Sequence, residues 1–275
     1  MSEVRSVDRV VIRFAGDSGD GMQLTGDRFT SDSAQLGNDF STLPNFPAEI
    51  RAPAGTVAGV SSFQVHFADF DIRTPGDRPD VLVVMNPAAL KANLSDLPRG
   101  AVILADTADF TNRNLAKVGY SGNPLEDGTL EAYEVHAFDL TGLAVAAVSA
   151  FGLGRKDSAR TKNMFALGLL TWLYSRPEQG TLDFLARKFA RSPQIRDANI
   201  ASFKAGFAFG ETTEVFTARY QIAPAPMPAG TYRQITGNTA LAYGLMAGAA
   251  KADLQLFLGA CPISPASDVL HILSR

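Results

Sequence analysis

The sequence predicts an α/β fold built on a parallel sheet with helices on both faces. Three features predict it. Apolar runs at residues 10–14, 79–86 and 100–106 are nearly continuous, as in strands buried on both faces. Helix-compatible segments separate them. The first run also leads through Gly16-Asp17-Ser18-Gly19-Asp20-Gly21 into a helix-compatible stretch at residues 22–36. Ligands of such sheets bind beyond the carboxyl ends of the strands. The glycine turn, Asn86, Asp106 and the turn after Phe138 are therefore expected to line one crevice.

In the glycine turn, missing Cβ atoms let the backbone turn sharply and approach a ligand. A helix starting near Gly21 points unpaired N–H groups and its positive dipole end out of the turn, which makes a generic anion or nucleotide site. The spacing is G-x-x-G-x-G, not the G-x-G-x-x-G of dinucleotide-binding folds. Asp17 and Asp20 put two negative charges in the loop and disfavour a polyphosphate lying directly on it. Asp20 is also placed to cap the helix. A tight turn without a ligand is the plain alternative.

The 275 residues, 46% of them hydrophobic, suit one large or two ordinary domains. A net charge of −3 argues against a nucleic-acid partner. The single cysteine, Cys261, excludes a disulfide framework, and also an iron–sulfur or zinc site built from this chain's thiolates alone. The N-terminus has no apolar signal region, and residues 140–153 are too short a run to span a membrane. A cytoplasmic location is expected.

Residues 36–41 read as a helix end passing into a second strand. Asp39 lies where a nicotinamide-binding fold carries its ribose acid, or is a surface loop acid. Pro44, Pro47 and Pro53 exclude a regular helix or central strand from residues 42–56. That loop carries the pair Glu49/Arg51, and Arg51 suits a carboxylate or phosphate. Strands follow at 60–67 and 79–86. Asn86-Pro87 then starts a helix at 88–94. Further strands are expected at 100–106 and 131–138, then a helix to about residue 150. His66 and His136 read as structural strand histidines.

Residues 162–209 are expected to be helical, in pieces 162–174, 182–191 and 198–210, with Trp172 in a core or interface. Arg187, Lys188, Arg191, Arg196 and Lys204 read as a solvated basic face. Alternating prolines make residues 221–230 a semi-rigid linker. Beyond it are expected a helix at 235–250, a strand at 254–259, a turn at 260–268 and a helix at 269–273. These are too few to bury a core, so this second α/β domain is expected to be incomplete here.

Four stretches then carry a family resemblance. They are Gly16-Asp17-Ser18-Gly19-Asp20-Gly21-Met22, residues 47–55 (PAEIRAPAG), residues 237–244 (GNTALAYG) and residues 261–268 (CPISPASD). In this order across a proline linker they resemble the large subunit of the 2-oxoacid:ferredoxin oxidoreductases, of the 2-oxoglutarate type. The resemblance implies a Rossmann-like gamma domain at 8–220, a linker at 221–230 and the start of a thiamine-pyrimidine domain at 231–275.

The implied chemistry is oxidative decarboxylation of a 2-oxo acid to an acyl-coenzyme A. It uses thiamine diphosphate with magnesium and passes electrons through a 4Fe–4S cluster to ferredoxin. The cluster and the pyrophosphate-binding domain are expected in a beta-subunit partner, in a hetero-oligomer. The resemblance places coenzyme A by Gly16, Ser18, Gly19, Asp20, Gly21, Met22 and Arg51, with basic residues elsewhere neutralising its phosphates. It places Ser264 and Pro265 near the thiamine and the substrate, where relatives have threonine and proline, and Cys261 where they have tyrosine. No catalytic residue is expected within residues 1–275, and this chain alone is expected to be inactive. A nicotinamide-dependent dehydrogenase and a non-catalytic assembly module are the competing readings.

Overall fold

The structure is a computed structural model, and it describes residues 3–47, 52–213, 215–261, 263 and 266–274. The chain divides into two compact units, Met1–Met227 and Pro228–Arg275.

The first unit is built on six strands: β2 (Arg9–Asp17), β3 (Asp39–Asn45), β4 (Val60–Ala68), β5 (Val81–Val84), β6 (Val102–Asp106) and β7 (Glu134–Phe138). A short β1 (Glu3–Ser6) pairs in parallel with β8 (Ala218–Gln221) as a separate ribbon. The sheet order is β3-β4-β2-β5-β6-β7. From β2 through β7 it is parallel. β4 runs antiparallel to both β2 and β3, so the expected parallel sheet carries an antiparallel edge. β3 tolerates Pro44 because it is the edge strand.

Residues alternate across the sheet into two apolar layers. Ile12, Phe14, Val81, Val83 and Leu104 face one core, with α1 (Met22–Gln35) and α6 (Lys162–Leu173) packed on it. Ala15, Leu82, Val84, Ile103 and Ala105 face the other, closed by α2 (Pro87–Asn93) and α3 (Asn112–Lys117). The first core includes edge-to-face contacts of Phe29 with Phe67 and Tyr174, each worth about 0.5–1.5 kcal/mol beyond area burial.

Four more helices complete this unit: α4 (Leu140–Ala147), α5 (Arg155–Arg160), α7 (Gln179–Lys188) and α8 (Pro193–Thr212). α7 lies about a turn earlier than the composition suggests, and α8 begins earlier, at a proline in its first turn. α6 and α8 meet backbone to backbone. A Cβ at Gly168 would lie 1.9 Å from the Phe203 carbonyl oxygen, and one at Gly206 1.9 Å from that of Phe165. Trp172 is buried in this layer.

The second unit contains α9 (Gly237–Ala252) and α10 (Ser267–Leu273). Residues 254–259, expected as a strand, are irregular. A strand needs a partner for its N–H and C=O groups, and among the described residues this unit has no other strand. The regular elements of this unit are therefore helices only, among the described residues.

Candidate functional site

The carboxyl ends of β5, β6 and β7 each pass into a turn or helix that a polar side chain caps. Asn86 Oδ1 accepts from Ala89 N–H at 2.8 Å. Asp106 Oδ1 accepts from Ala108 N–H at 3.3 Å, and Asp139 Oδ1 from Gly142 N–H at 2.7 Å. At the end of β2 the sequence predicts the same role for Asp20, and here the structure differs. The N-cap of α1 is Gly21, at φ 77°, and no side chain caps it. The Asp20 carboxylate instead turns back and accepts from Asp17 N–H at 2.8 Å, while Asp20 N–H donates to Asp17 C=O at 2.9 Å. This closes the loop on itself and leaves the first-turn N–H groups of α1 without a side-chain cap.

The three glycines do different work. Gly16 lets loop and sheet approach closely, since a Cβ there would sit 2.8 Å from Asp20 Oδ2 and 3.2 Å from Met85 Cβ. Gly21 supplies the left-handed residue, and its Cβ would lie 2.3 Å from Asn163 Nδ2. Nothing lies within 4 Å of a Cβ on Gly19. Gly19 and Ser18 are exposed, so the chain itself does not require a glycine at 19.

Both loop acids are already occupied. Asp17 Oδ2 accepts from Gly55 N–H at 2.9 Å, near the end of the proline-rich loop. Asp20 Oδ1 lies 3.2 Å from Lys162 Nζ. Lys162 also reaches Asp106 Oδ2 at 3.8 Å and Asp109 Oδ2 at 3.6 Å. It is 6% exposed. Burial works against its charge, but the surrounding carboxylates outweigh that, and its pKa is raised. Asp106 is fully buried and also accepts from the Thr141 hydroxyl at 2.6 Å. Burial pushes the Asp106 and Asp17 carboxyls up, and neighbouring Asp20 adds to the shift at Asp17. A second cation stands nearby: Lys117 Nζ donates to Ala54 C=O at 3.4 Å, beside Gly55.

Lys162 is the residue that reading the sequence misses. It stands at the start of a helix that is apolar from Met164 to Leu170, Gly168 aside, where a cation opposes the helix dipole. That mismatch is the signal that could have marked it.

Of the residues expected at the site, Gly16, Ser18, Gly19, Asp20 and Gly21 lie together at this sheet edge. The Met22 side chain is 1% exposed and belongs to the core, so only its backbone faces the turn. Arg51, Ser264 and Pro265 lie outside the described residues. Asp39 begins β3 opposite Ala68, which in turn stands opposite Arg9 at the amino end of β2. Its carboxylate accepts from Phe40 and Ile72 N–H groups. It is a structural acid at the far end of the sheet from the glycine turn, where a ribose acid has no use. His66 Nδ1 lies 2.9 Å from Thr74 C=O, and His136 pairs with Glu134 at 2.8 Å; neither reaches the turn.

A strand–glycine-turn–helix at the carboxyl ends of a mostly parallel sheet is where open α/β domains place their ligands. Residues 11–209 match the family described as pyruvate ferredoxin/flavodoxin oxidoreductase, and the chain belongs to that family. It is 60% identical over 269 residues to the 2-oxoglutarate oxidoreductase subunit KorA of Mycobacterium tuberculosis (strain ATCC 25618 / H37Rv), covering 98% of this chain and 41% of that protein. It is similar in fold to a 2-oxoglutarate:ferredoxin oxidoreductase from Magnetococcus marinus, solved with 2-oxoglutarate, coenzyme A and succinyl-CoA bound. That match has a TM-score of 0.73 and 24% identity, and covers 98% of this chain and 41% of that one. The chain thus spans about two fifths of the length of these relatives. Among the described residues no helix is long and apolar enough to cross a membrane.

Proposed function

We propose that the chain is part of a thiamine diphosphate-dependent 2-oxoglutarate:ferredoxin oxidoreductase, and that its first unit docks coenzyme A at the glycine turn. The observation that carries the site is the loop itself. Gly19 is sterically open, the first turn of α1 has no side-chain cap, and the acids that would repel the ligand are engaged by Gly55 N–H and Lys162. The 60% identity to a 2-oxoglutarate oxidoreductase subunit supports the reaction class and the 2-oxoglutarate substrate.

In this reading Gly16, Gly21 and Lys162 hold the loop's shape, while the backbone of Ser18, Gly19 and Met22 donates to the coenzyme. Coenzyme A supplies the thiol that accepts the acyl group. Thiamine diphosphate with magnesium and the 4Fe–4S cluster belong mainly to a beta-subunit partner, which passes electrons to ferredoxin. The lone Cys261 fits that division of labour. The complex works in the cytoplasm. Residues 8–220 form the gamma domain, 221–230 the linker and 231–275 the start of the thiamine-pyrimidine domain. Asp39, held at the wrong sheet edge, weighs against the nicotinamide reading.

The test is a calorimetric titration of the chain with coenzyme A against NAD. Saturable coenzyme A binding that Gly19→Trp abolishes, with the fold intact, supports the reading. Tight NAD binding overturns it. Gly19 is the position to fill because a side chain there meets nothing in the protein.

A further inference from the structure

At the opposite edge of the same sheet lies a cavity of about 400 Å³, in the size range of small-molecule sites. Its floor is the amino ends of β2, β5, β6 and β7, at Val10, Val81, Val102 and His136. β8, at Ala218 and Tyr220, and Phe216 form its other wall. The glycine turn stands at the carboxyl ends of these strands, so the two sites share no residue.

The lining is aromatic and acidic. Tyr174 and Tyr220 stack with ring centroids 5.7 Å apart, and the His136 ring lies 4.9 Å from Phe216. Tyr174, 3% exposed, lines the cavity. Burial pushes its hydroxyl's pKa up, so the group stays a neutral donor and acceptor. Asp80 spends one oxygen on Val11 N–H at 2.8 Å, and no described donor meets the other. Asp8 and Glu134 add carboxylates, against Arg9 as the only permanent cation among the described lining residues.

We infer that this cavity binds a small organic cation with an aromatic or apolar body. Ring faces and carboxylates both favour a cation once it leaves water, and the same carboxylates repel an anion of equal size. The neutral Tyr174 hydroxyl in the lining offers the cationic group a hydrogen-bond acceptor.

The experiment uses the 275-residue chain and three probes of one shape: benzylammonium, benzyl alcohol and benzoate. Trp172 is the sole tryptophan and lies 6.1 Å from Phe216, so its fluorescence reports occupancy alongside calorimetry. Benzylammonium should bind saturably, and benzoate at least tenfold more weakly. Glu134→Gln, at an exposed position, and Asp80→Asn should each weaken benzylammonium at least threefold. Thr217→Trp, at the exposed rim, should block it. Coenzyme A titrations should be unchanged in all three variants, which separates this site from the glycine turn. Equal binding of benzoate, no saturation with benzylammonium, or full affinity in both Glu134→Gln and Asp80→Asn would overturn the inference.

Discussion

Replacing Lys162 by methionine tests whether the glycine turn is held by charge. The ammonium is 6% exposed and touches carboxylates of Asp20, Asp106 and Asp109 at 3.2, 3.8 and 3.6 Å. At an effective dielectric of about 20, each such contact is a gross attraction of about 4 kcal/mol. Burying the ammonium and Asp106 offsets much of that total. What the substitution changes is the remainder: it strands Asp106, fully buried, without its cation. Removing one partner of a buried pair costs about 3–5 kcal/mol; with Asp109 half exposed, we take about 3. For a unit of this size that is a loss of roughly 6–12 °C in Tm.

The pH dependence sharpens the test. Without Lys162 the stranded acids bind protons more readily in the folded state, so the deficit of Lys162→Met should shrink as pH falls from 8 to 5. In the wild type the lysine's folded pKa is raised, so its contribution is complete below 10.5 and lost only at higher pH. Thermal unfolding by circular dichroism at pH 8 and pH 5 measures both. A Tm loss under about 2 °C at pH 8, or one that does not shrink at pH 5, refutes the charge argument.

Other substitutions follow from the same geometry. Gly206→Ala drives a Cβ to 1.9 Å from the Phe165 carbonyl oxygen and should cost about 3 kcal/mol or more, read as a lower urea midpoint. Gly21→Ala forces a left-handed residue to carry a side chain against Asn163 and should cost about 2 kcal/mol, whereas Gly19→Ala should be near neutral in the same assay. Burial raises the pKa of Asp17, Asp32 and Asp106, so each holds its proton in the folded state at pH values where the unfolded chain has released it. These three therefore add stability as pH falls from neutral toward 3.8. The urea midpoint of Asp106→Asn should gain less between pH 7 and pH 5 than that of the wild type; an equal gain would assign the effect to other groups.

The sheet was legible because its strands are apolar on both faces, and the glycine turn because three glycines in six positions have few other uses. The antiparallel edge was not legible, since β4 carries five apolar residues in nine, as β2 does, and nothing local marks its direction. The short helices α3 and α5, of six residues each, lack an amphipathic repeat long enough to register. Residues 254–259 have the composition of a strand, but pairing decides strands, and no described strand of that unit meets them. At the site, the glycines were readable and their separate tasks were not. Those depend on Asn163 and Met85, far away in sequence. Lys162 joins acids 53 to 142 residues upstream, and no local pattern carries that information.

The same cluster bears on where the coenzyme's charge goes. Asp17, Asp20, Asp106 and Asp109 set four carboxylates against the one ammonium of Lys162. Protonation of the buried members softens the imbalance without reversing it, so phosphates gain little from this side of the loop. The cation on the other side is Lys117, exposed and 3.5 Å from where a Gly55 Cβ would stand, with Gly55 itself donating to Asp17. If the coenzyme's phosphates sit there, Lys117→Glu should leave Tm unchanged while weakening coenzyme A roughly tenfold, about 1.4 kcal/mol. The salt dependence of binding should also flatten, because the lost contact is an exposed and screened one. Unchanged affinity, with Gly19→Trp still blocking, would place the phosphates on another cation and leave the turn to the uncharged part of the molecule.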